Sequence, residues 1–381
     1  MTSAGTGEAH SGVWRFGEIV HPRAESIVSY PEGNTPLLAR TSVSRWSRCD
    51  GLLMKHEGMN PTGSFKDRGM TVGVTQAVRI GATAVACAST GNTSASLASY
   101  AALAGIPALV FVPAGQIALG KLTQTLAYGA RTLLVKGDFD ACLTLAREAS
   151  RVLGVYLVNS INPWRLEGQK TIALELLQQL RWEAPDWIAL PAGNLGNTSA
   201  IGKALREAHA WGLISRMPRL LAVQAEGAAP FHESFTNAFK SHVPVHAKTV
   251  ATAIKIGDPA SWDRAIEAIR ATDGVVAKVS DAEILEAKAV IDASGVGCEP
   301  ASAASVAGVR QAVDRGLIAP GARVVAILTG HVLKDPGILQ SYHQEQFPPL
   351  PLANRPYEIE PSLAAVETIL GKIQNRVVRR P

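Results

Sequence analysis

The stretch TAVACASTGNTSASLASYAALA, residues 83–104, holds the pattern that decides the fold. Its apolar start predicts a buried strand at 83–89, a glycine and small polar residues follow, and an alanine-rich segment predicts a helix at 92–104. This alternation predicts an α/β fold of mainly parallel sheets with right-handed crossovers. It continues toward the C-terminus, with predicted strands at 108–114, 131–136, 155–160, 186–193, 219–227 and 322–330 and predicted helices at 119–128, 138–153, 164–181, 197–211, 281–294 and 300–316.

Composition narrows the class of protein. A chain of 381 residues, 47 % apolar and only 18 % charged, predicts a soluble protein of two domains with large buried interfaces. The formal charge of +5 is small for this length and no block of like charges occurs, so we expect neither nucleic-acid nor membrane binding. No run of about 18 apolar residues exists, which predicts no transmembrane helix.

The cysteines and the N-terminal sequence both point to the same cellular compartment, the cytoplasm. Four cysteines without paired spacing predict reduced thiols, no disulfide framework and no metal site: Cys49, Cys87, Cys142 and Cys298. The first residues, MTSAGTGEAHSG, lack the charged and apolar parts of a secretion signal. These features predict a cytoplasmic protein.

A repeated pentapeptide supports two αβ halves that divide near residue 160. GNTSA occurs at Gly91–Ala95 and again at Gly196–Ala200, each time after an apolar strand and at the start of a helix. We expect both helix N-termini to face one cleft at the carboxyl ends of the strands. The predicted divisions are a disordered N-terminus at 1–14, a smaller domain at 48–160, a larger domain made of 15–47 and 161–355 with a loop-rich part at 228–275, and a tail or helix at 356–381.

Two polar loops are candidate ligand sites. In AGNLGNTSA, residues 192–200, glycines and the amides at a helix start would cradle a phosphate, although an ordinary strand–helix turn has the same composition. In CASTGNTSAS, residues 87–96, the hydroxyls suit a carboxylate, although such residues also cap helices. A third loop, GQIALGK at 115–121, resembles a nucleotide-binding loop, but Leu122 stands where Ser or Thr is required, so we expect no nucleotide site there.

The stretch NPTGSFKDRGM, residues 60–70, has a lysine where the helix dipole disfavours a cation. Ser64 and Asp67 form a helix-start signal, which puts Lys66 in the first turn. Partial burial, the dipole and Arg68 would favour a neutral amine suited to Schiff-base chemistry, whereas a solvated surface lysine is the ordinary alternative. Together with a phosphate cradle and a hydroxyl-rich loop, this lysine indicates pyridoxal phosphate as the cofactor.

Five segments carry a family resemblance over residues 30–340: HEGMNPTGSFKDRGM (56–70), ACASTGNTSAS (86–96), LVNSINPWRLEGQKT (157–171), PAGNLGNTSA (191–200) and EPASAASVAG (299–308). They closely resemble the threonine synthases, which are pyridoxal-phosphate enzymes of fold type II, the tryptophan synthase β type. The resemblance implies two three-layer αβα domains with the active site between them. It also implies a homodimeric lyase that converts O-phospho-L-homoserine and water to L-threonine and phosphate.

The resemblance implies roles at matching positions. Lys66 would bind the cofactor covalently and move protons at the substrate. Other cofactor contacts would come from Asn92 at the phenolic oxygen, Thr329 at the ring nitrogen, and a phosphate loop made of Gly193, Asn194, Leu195, Gly196, Asn197 and Thr198. The substrate carboxylate would lie at Ser89, Thr90 and Thr93, and its phosphate at Asn159, Ser160 and Arg165, with help from Lys55 and Asn194. Arginine suits phosphate through its bidentate fork, although a first-turn arginine is also compatible with a simple exposed charge.

One position departs from the family pattern, and two alternatives stay open. In LTGHVLKD, residues 328–335, Val332 stands where the family has glycine, and a positive φ there would strain valine and displace Thr329. One alternative is another lyase on this scaffold, such as a cysteate synthase or a threonine or serine dehydratase, which would differ in substrate. The other is a protein without this cofactor, such as a nucleotide-binding or non-enzymatic protein, which would be colourless.

Overall fold

Ten strands form two sheets within residues 11–115, 122–344 and 352–377, the parts of the chain that this computed structural model describes. In chain order they are β1 (Leu37–Leu38), β2 (Gly51–His56), β3 (Ala84–Ala88), β4 (Ala108–Pro113), β5 (Arg131–Val135), β6 (Val155–Leu157), β7 (Trp187–Pro191), β8 (Arg219–Ala225), β9 (Val275–Val279) and β10 (Arg323–Leu328). The larger sheet has the order β1, β2, β10, β7, β8, β9, and the smaller has the order β5, β4, β3, β6. All pairs are parallel except β1 with β2.

Helices connect these parallel strands. In chain order they are α1 (Gly17–Val20), α2 (Thr41–Ser47), α3 (Lys66–Arg79), α4 (Asn92–Ala104), α5 (Thr123–Ala127), α6 (Phe139–Val152), α7 (Pro163–Gln179), α8 (Gly196–Ala210), α9 (Pro230–Thr236), α10 (Trp262–Ala271), α11 (Asp281–Ala293), α12 (Pro300–Asp314), α13 (Pro336–His343) and α14 (Leu363–Val377). A short 3-10 helix spans Val332–Lys334. The sequence of α11 defines its start through a capping box between Ser280 and Glu283.

Each sheet is buried between two layers of helices. Successive residues of β10 alternate between two cores, because Val324, Ala326 and Leu328 pack with α12 while Val325 and Ile327 pack with α7 and α8. The smaller sheet is likewise packed between α3 and α4 on one face and α6 on the other. Strands that are covered on both faces, such as β3 and β7, are apolar throughout, as expected for parallel sheets, whereas β5 at the edge of the smaller sheet is largely exposed. The predicted α/β class with three-layer αβα arrangements is confirmed.

The predicted strands and helices match observed elements to within a few residues, with α5 as the shortest match. Its predicted start at 119 and nearly all of the GQIALGK loop lie outside the described residues. Four elements near the N-terminus, α1, β1, α2 and β2, were not predicted, and neither were β9 and α13. The segment 228–275, predicted to be loop-rich, contains α9 and α10, and its longest part without a helix or strand is 237–251.

Charged side chains form a buried network between β2, α3 and α7. Arg68 Nε lies 2.6 Å from Glu57 Oε2, and Arg68 Nη2 lies 2.9 Å from Glu175 Oε1. Lys55 Nζ lies 2.5 Å from the same Glu175 oxygen, which also accepts from the amide of Thr35 at 2.9 Å. Buried charges destabilise a protein unless they are paired, and each charge in this network has at least one partner of opposite charge. The network fixes α3, which begins with Lys66, against α7.

The N-terminal segment differs from its prediction at its end. Residues 1–10 lie outside the described residues, but residues 11–14, also predicted to be disordered, are buried. Ser11 donates to Glu32 Oε1 at 2.5 Å, and Trp14 Nε1 donates to Thr71 Oγ1 on α3 at 2.7 Å. These contacts hold the segment against the helices.

Residues up to Ile338 form one compact unit, and residues from Leu339 onward form a second, which contains α14. The division of the first unit into a smaller domain at 48–160 and a larger one stays a prediction. All four cysteines are buried and free. None of the described helices combines the length and apolar character needed to cross a bilayer.

Candidate functional site

Loops at the carboxyl ends of five strands contact one another in one region, which we call the cleft. They follow β2, β3, β6, β7 and β10, and four of them lead into α3, α4, α7 and α8. Contacts between these loops link them into one group. Asn194 after β7 donates to Ser160 after β6 at 2.7 Å, and Asn92 after β3 donates to Glu299 before α12 at 2.9 Å. The cleft therefore lies where the carboxyl ends of the strands in both sheets meet.

Lys66 is the first residue of α3, and its side chain is partly exposed. Its ammonium lies 4.2 Å from the centre of the Phe65 ring. Burial, followed by repulsion from Arg165, lowers the pKa of Lys66 to about 7, while Glu299 opposes this shift. A substantial fraction of the amine is therefore neutral at neutral pH, which supports the prediction of a reactive amine over the alternative of an ordinary solvated lysine.

The start of α3 is held differently from the predicted signal. Ser64 and Asp67 do not form a side-chain cap, and Phe65 is the N-cap residue. The Asp67 carboxylate instead accepts from the Thr62 amide at 2.7 Å, the Thr62 hydroxyl at 2.6 Å and the Ser96 hydroxyl at 2.6 Å. Asp67 thus joins the loop before α3 to α4, and the prediction of a capping pair is wrong.

Arg165 lies in the first turn of α7 and is fully buried. Its Nη1 donates to the carbonyl of Val158 at 3.2 Å, but Nε and Nη2 have no hydrogen-bond partner among the described residues. Burial lowers the pKa of Arg165 to about 10, so the group is still a cation at neutral pH. A buried cation with two unused donors is suited to an anion, and the alternative of an exposed charge is wrong.

The predicted phosphate loop begins α8. Leu195 adopts a left-handed conformation with φ of 62°, and α8 has no side-chain cap. The first amides of a helix have no intrahelical acceptor, so those at Gly196 to Thr198 are available to a ligand. Buried polar atoms of Asn197 and Thr198 likewise have no partner within the described residues. A left-handed residue before free amides forms a concave anion site.

The two predicted phosphate-binding loops, after β6 and β7, are joined by Asn194. Its Nδ2 donates to Ser160 Oγ, and its Oδ1 accepts from the amide of Ala260 at 2.6 Å. Asn159 Oδ1 accepts from the amide of Ala88 at 3.1 Å, which ties the loop after β6 to the end of β3. These hydrogen bonds orient the loop that precedes Arg165.

The hydroxyl-rich loop after β3 leads into α4 without a side-chain cap. Ser89 Oγ accepts weakly from the Gly91 amide at 3.3 Å, and Thr90 and Thr93 are partly exposed at the same edge. The capping alternative therefore has no support from α4, and the loop presents hydroxyls beside Asn92.

Thr329 and Asn92 meet at a carboxyl group to which the sequence analysis assigned no role. Thr329 Oγ1 lies 3.1 Å from Glu299 Oε1 and 3.0 Å from Ser302 Oγ, and Asn92 donates to Glu299 Oε2. Glu299 and Ser302 lie within the EPASAASVAG segment. An acidic residue directly before a proline that opens a helix is the signal that could have singled out Glu299.

Lys55 is the one predicted substrate contact whose side chain points elsewhere. It is fully buried, and its ammonium lies within hydrogen-bond distance of Glu175 Oε1, the Thr35 carbonyl at 2.6 Å and Gln179 Oε1 at 2.9 Å. An ammonium has three protons, so each already has an acceptor. Lys55 belongs to the buried network, and its prediction as a substrate contact is corrected on this geometry.

Val332 fits without the strain that the sequence suggested. It begins the 3-10 helix and is not among the residues with positive φ. Its side chain packs over Gly297, where an added Cβ would lie 3.1 Å from Val332 Cβ. Thr329 keeps its contacts with Glu299 and Ser302, so it is not displaced. The missing Cβ at Gly297 makes room for the valine.

The residues of the cleft fit pyridoxal phosphate. Thr198 Oγ1, both polar atoms of the Asn197 amide and the free amides of α8 match a phosphate, and a largely neutral lysine matches an aldehyde. Arg165 provides a further anion site beside Lys66. Within the described residues, no three His, Cys, Asp or Glu side chains lie close enough to hold a metal ion.

Comparison with known proteins identifies the class. A sequence profile described as pyridoxal-phosphate dependent enzyme matches residues 28–330. The chain thus belongs to the pyridoxal-phosphate dependent enzymes, and within them to the threonine synthase family, as its relatives indicate. Threonine synthase from Methanocaldococcus jannaschii is 47 % identical over 328 residues, which cover 85 % of this chain and 81 % of that protein. Threonine synthase from Mycobacterium tuberculosis is 50 % identical over 311 residues, which cover 81 % and 84 %.

Solved structures share the fold at lower identity. Maize serine racemase matches with a TM-score of 0.72 at 22 % identity, covering 88 % of this chain and 97 % of that one. Threonine synthase from Escherichia coli matches with a TM-score of 0.67 at 20 % identity, covering 94 % and 84 %. The predicted fold type II architecture is confirmed, and so are the predicted family and cofactor.

Proposed function

We infer that this enzyme converts O-phospho-L-homoserine and water to L-threonine and phosphate. The observation that carries the inference is the pair of separate anion sites, one at the start of α8 and one at Arg165 beside Lys66. One site suits the phosphate of the cofactor, and the other suits a phosphate on the substrate. A dehydratase substrate without phosphate would leave the buried guanidinium unpaired, which is costly.

We assign the cofactor contacts as follows. Lys66 would form the covalent bond, Asn92 would contact the phenolic oxygen and Thr329 would contact the ring nitrogen. The amides of Gly193, Asn194, Leu195, Gly196 and Asn197 and the hydroxyl of Thr198 would hold the phosphate. The bound cofactor supplies an electron sink for the carbon atoms next to the amino group.

The chain's own residues bind and orient the substrate. Ser89, Thr90 and Thr93 donate to its carboxylate, which fixes the carbon atoms relative to Lys66. Arg165 binds the phosphate with its two unused donors, and Asn159, Ser160 and Asn194 complete that site. The neutral amine of Lys66 takes a proton at one step and returns it at a later one, which its lowered pKa allows near pH 7.

Domain motion and assembly are part of the proposal. We propose that residues 48–160 move against 15–47 and 161–355 to exclude water, supported by the hydrogen bond between Asn92 and Glu299. We also propose a homodimer in the cytoplasm, supported by an apolar fraction of 47 % and four free cysteines. Sedimentation analysis tests the dimer.

A phosphate-release assay tests the reaction. The purified enzyme is given O-phospho-L-homoserine or O-phospho-L-serine, and both phosphate and L-threonine are measured. We expect phosphate and threonine in equal amounts from the first compound only. In a parallel assay that also contains sulfite, phosphate release from O-phospho-L-serine only would favour a cysteate synthase. The variant Lys66→Ala should be inactive and colourless, while Lys136→Ala, which changes an exposed lysine, should match the unmodified enzyme.

A further inference from the structure

A buried carboxyl group lies beside the proposed contacts of the cofactor ring. Glu299 is 4 % exposed and immediately precedes α12. Its Oε2 accepts from Asn92 Nδ2 at 2.9 Å, and its Oε1 lies 3.1 Å from Thr329 Oγ1. It therefore contacts both side chains that we assign to the ring.

The surroundings hold this carboxyl group in one orientation. The amide of Glu299 donates to the carbonyl of Gly330 at 3.0 Å, and a Cβ at Gly330 would overlap the carboxyl group. The amide of Gly330 donates to Ser302 Oγ at 3.0 Å, and this hydroxyl lies 3.0 Å from Thr329 Oγ1. Glu299 and Ser302 thus both lie within hydrogen-bond distance of Thr329, so each side-chain proton of these three residues has few possible acceptors.

We propose that Glu299 is a positioning residue for the cofactor ring: its neutral carboxyl group orients the Asn92 amide and makes the Thr329 hydroxyl a donor toward the ring nitrogen. The inference rests on the proposed function, because it takes Asn92 and Thr329 as the ring contacts.

The positions of donors and acceptors assign the protons. If Glu299 is neutral, as we propose, Oε2 accepts from Asn92, so the carboxyl proton belongs on Oε1 and points across 3.1 Å to Thr329 Oγ1. Thr329 then accepts from Glu299, and its own proton is free to point into the site. An ionised Glu299 would accept on both oxygens, so Thr329 would turn its proton away and face the ring only as an acceptor.

The electrostatic environment favours the neutral form. Burial raises the pKa of the Glu299 carboxyl group. The hydrogen bonds of Glu299 with Asn92 and Thr329 oppose this shift, as do the cations Lys334 from the 3-10 helix and Lys66 from α3, but they do not reverse it. The direction of this shift supports the donor role that we propose for Glu299.

Four variants of the holoenzyme test the proposal through the absorption band and the dissociation constant of bound pyridoxal phosphate. Glu299→Gln keeps an acceptor for Asn92 and a donor for Thr329, so we expect the unmodified band and a dissociation constant within about threefold. Glu299→Ala removes both contacts and should shift the band and weaken cofactor binding about tenfold or more. Thr329→Val should have a similar effect, and the loss of affinity in the double variant Glu299→Ala/Thr329→Val should be smaller than the product of the two single losses, because only the Asn92 contact is left to lose.

A merely structural role would give different results. Losses that multiply in the double variant, or an unmodified band and affinity in a folded Glu299→Ala protein, would overturn the proposal. If Glu299→Gln shifted the absorption band and weakened cofactor binding as much as Glu299→Ala, the proposed neutral, proton-donating form of Glu299 would be refuted. If Glu299→Ala does not fold, Glu299→Asp, which keeps the acid but shortens its reach, takes its place in the comparison.

A matched control and the unmodified enzyme separate the possible failures. Glu32→Gln changes another buried carboxyl group, which bonds to Ser11 and Tyr100 and contacts neither Asn92 nor Thr329. We expect it to leave the band and the cofactor affinity unchanged. An unmodified enzyme without any cofactor band would refute the proposed function itself, whatever the Glu299 variants do.

Discussion

The side-chain amide of Asn92 donates to the carboxyl group of Glu299 across 2.9 Å. Asn92 begins the helix over the smaller sheet, and Glu299 precedes a helix over the larger one. This hydrogen bond therefore joins the two sides of the cleft. Any motion that separated the two sheets at this edge would break it, which makes it a convenient marker of the closed arrangement.

The pKa of Lys66, lowered to about 7 mainly by burial and then by Arg165, predicts unusual reactivity in the cofactor-free protein. A neutral amine reacts with acetic anhydride, so the labelling rate of Lys66, followed by mass spectrometry, should reach half its maximum near pH 7. Arg165→Met removes a cause of the lowered pKa and should move the midpoint to higher pH. Exposed Lys136 serves as the internal reference, and a Lys66 midpoint near 10.5 would contradict the prediction.

Arg165 should determine affinity for the phosphorylated substrate. Arg165→Met removes charge-assisted hydrogen bonds and should raise KM for O-phospho-L-homoserine about 10- to 100-fold. Arg165→Lys keeps the charge without the planar fork, so its KM should lie between those of the unmodified enzyme and Arg165→Met. Arg151→Met removes an exposed arginine and controls for the change in net charge. An unchanged KM in Arg165→Met would show that the substrate phosphate binds elsewhere.

The contact between Val332 and Gly297 predicts a coupled pair of substitutions. Gly297→Ala meets both a φ of 70° and the Val332 side chain, whereas Gly295→Ala meets only a φ of 79° because nothing lies within 4 Å. Gly297→Ala should therefore lower the free energy of unfolding by about 1 kcal/mol more than Gly295→Ala. Adding Val332→Gly should remove this difference. Urea unfolding measures each variant, and equal costs for the two alanines would disprove the contact.

Glu175 should control stability in acid. Burial alone would raise the pKa of its carboxyl group, but Arg68 and Lys55 outweigh it and hold the pKa well below 4.5. A lowered carboxyl pKa stabilises the fold above the unfolded value and loses that contribution as the pH falls below about 4.5. Glu175→Gln should lower the free energy of unfolding by about 3–5 kcal/mol at pH 7. The variant should then lose less stability than the unmodified protein as the pH falls.

The urea concentration at the midpoint of unfolding, measured from about pH 3 to about pH 7, tests this effect because carboxyl groups titrate in the acidic part of that range. Asp314→Asn breaks an ion pair between exposed side chains and should cost less than about 1 kcal/mol, so it is the matched control. Equal costs for the two variants would mean that burial adds nothing to the Glu175 interactions.

The alternation of strands and helices was predictable because it depends on local apolar patterns. The runs that became β3, β7 and β10 are continuous and apolar, as strands covered on both faces must be. β2 was missed because Lys55 interrupts its apolar run. That lysine is buried only because Glu175, 120 residues further along, neutralises it, and no local pattern reports such a partner.

The site was predictable to the same degree. Lys66 and Arg165 are cations at helix starts, which fits an anionic site, but the phosphate role of Arg165 came from the family resemblance and not from its position alone. The capping role of Asp67 was a wrong prediction, because its carboxyl group bonds to Thr62 in the preceding loop and to the distant Ser96. Glu299 received no role because its contact Asn92 lies 207 residues away.

The buried network around Glu175 has a consequence for synthesis of the chain. Its hydrogen bonds to Arg68, Lys55 and Thr35 span 107, 120 and 140 residues. At typical translation rates, Arg68 is synthesised about 5 to 20 seconds before Glu175. During that interval the strands of the smaller sheet are completed, but the helix that carries Lys66 lacks the Glu175 carboxylate. The nascent protein therefore acquires a firmly anchored Lys66 only after residue 175 has emerged.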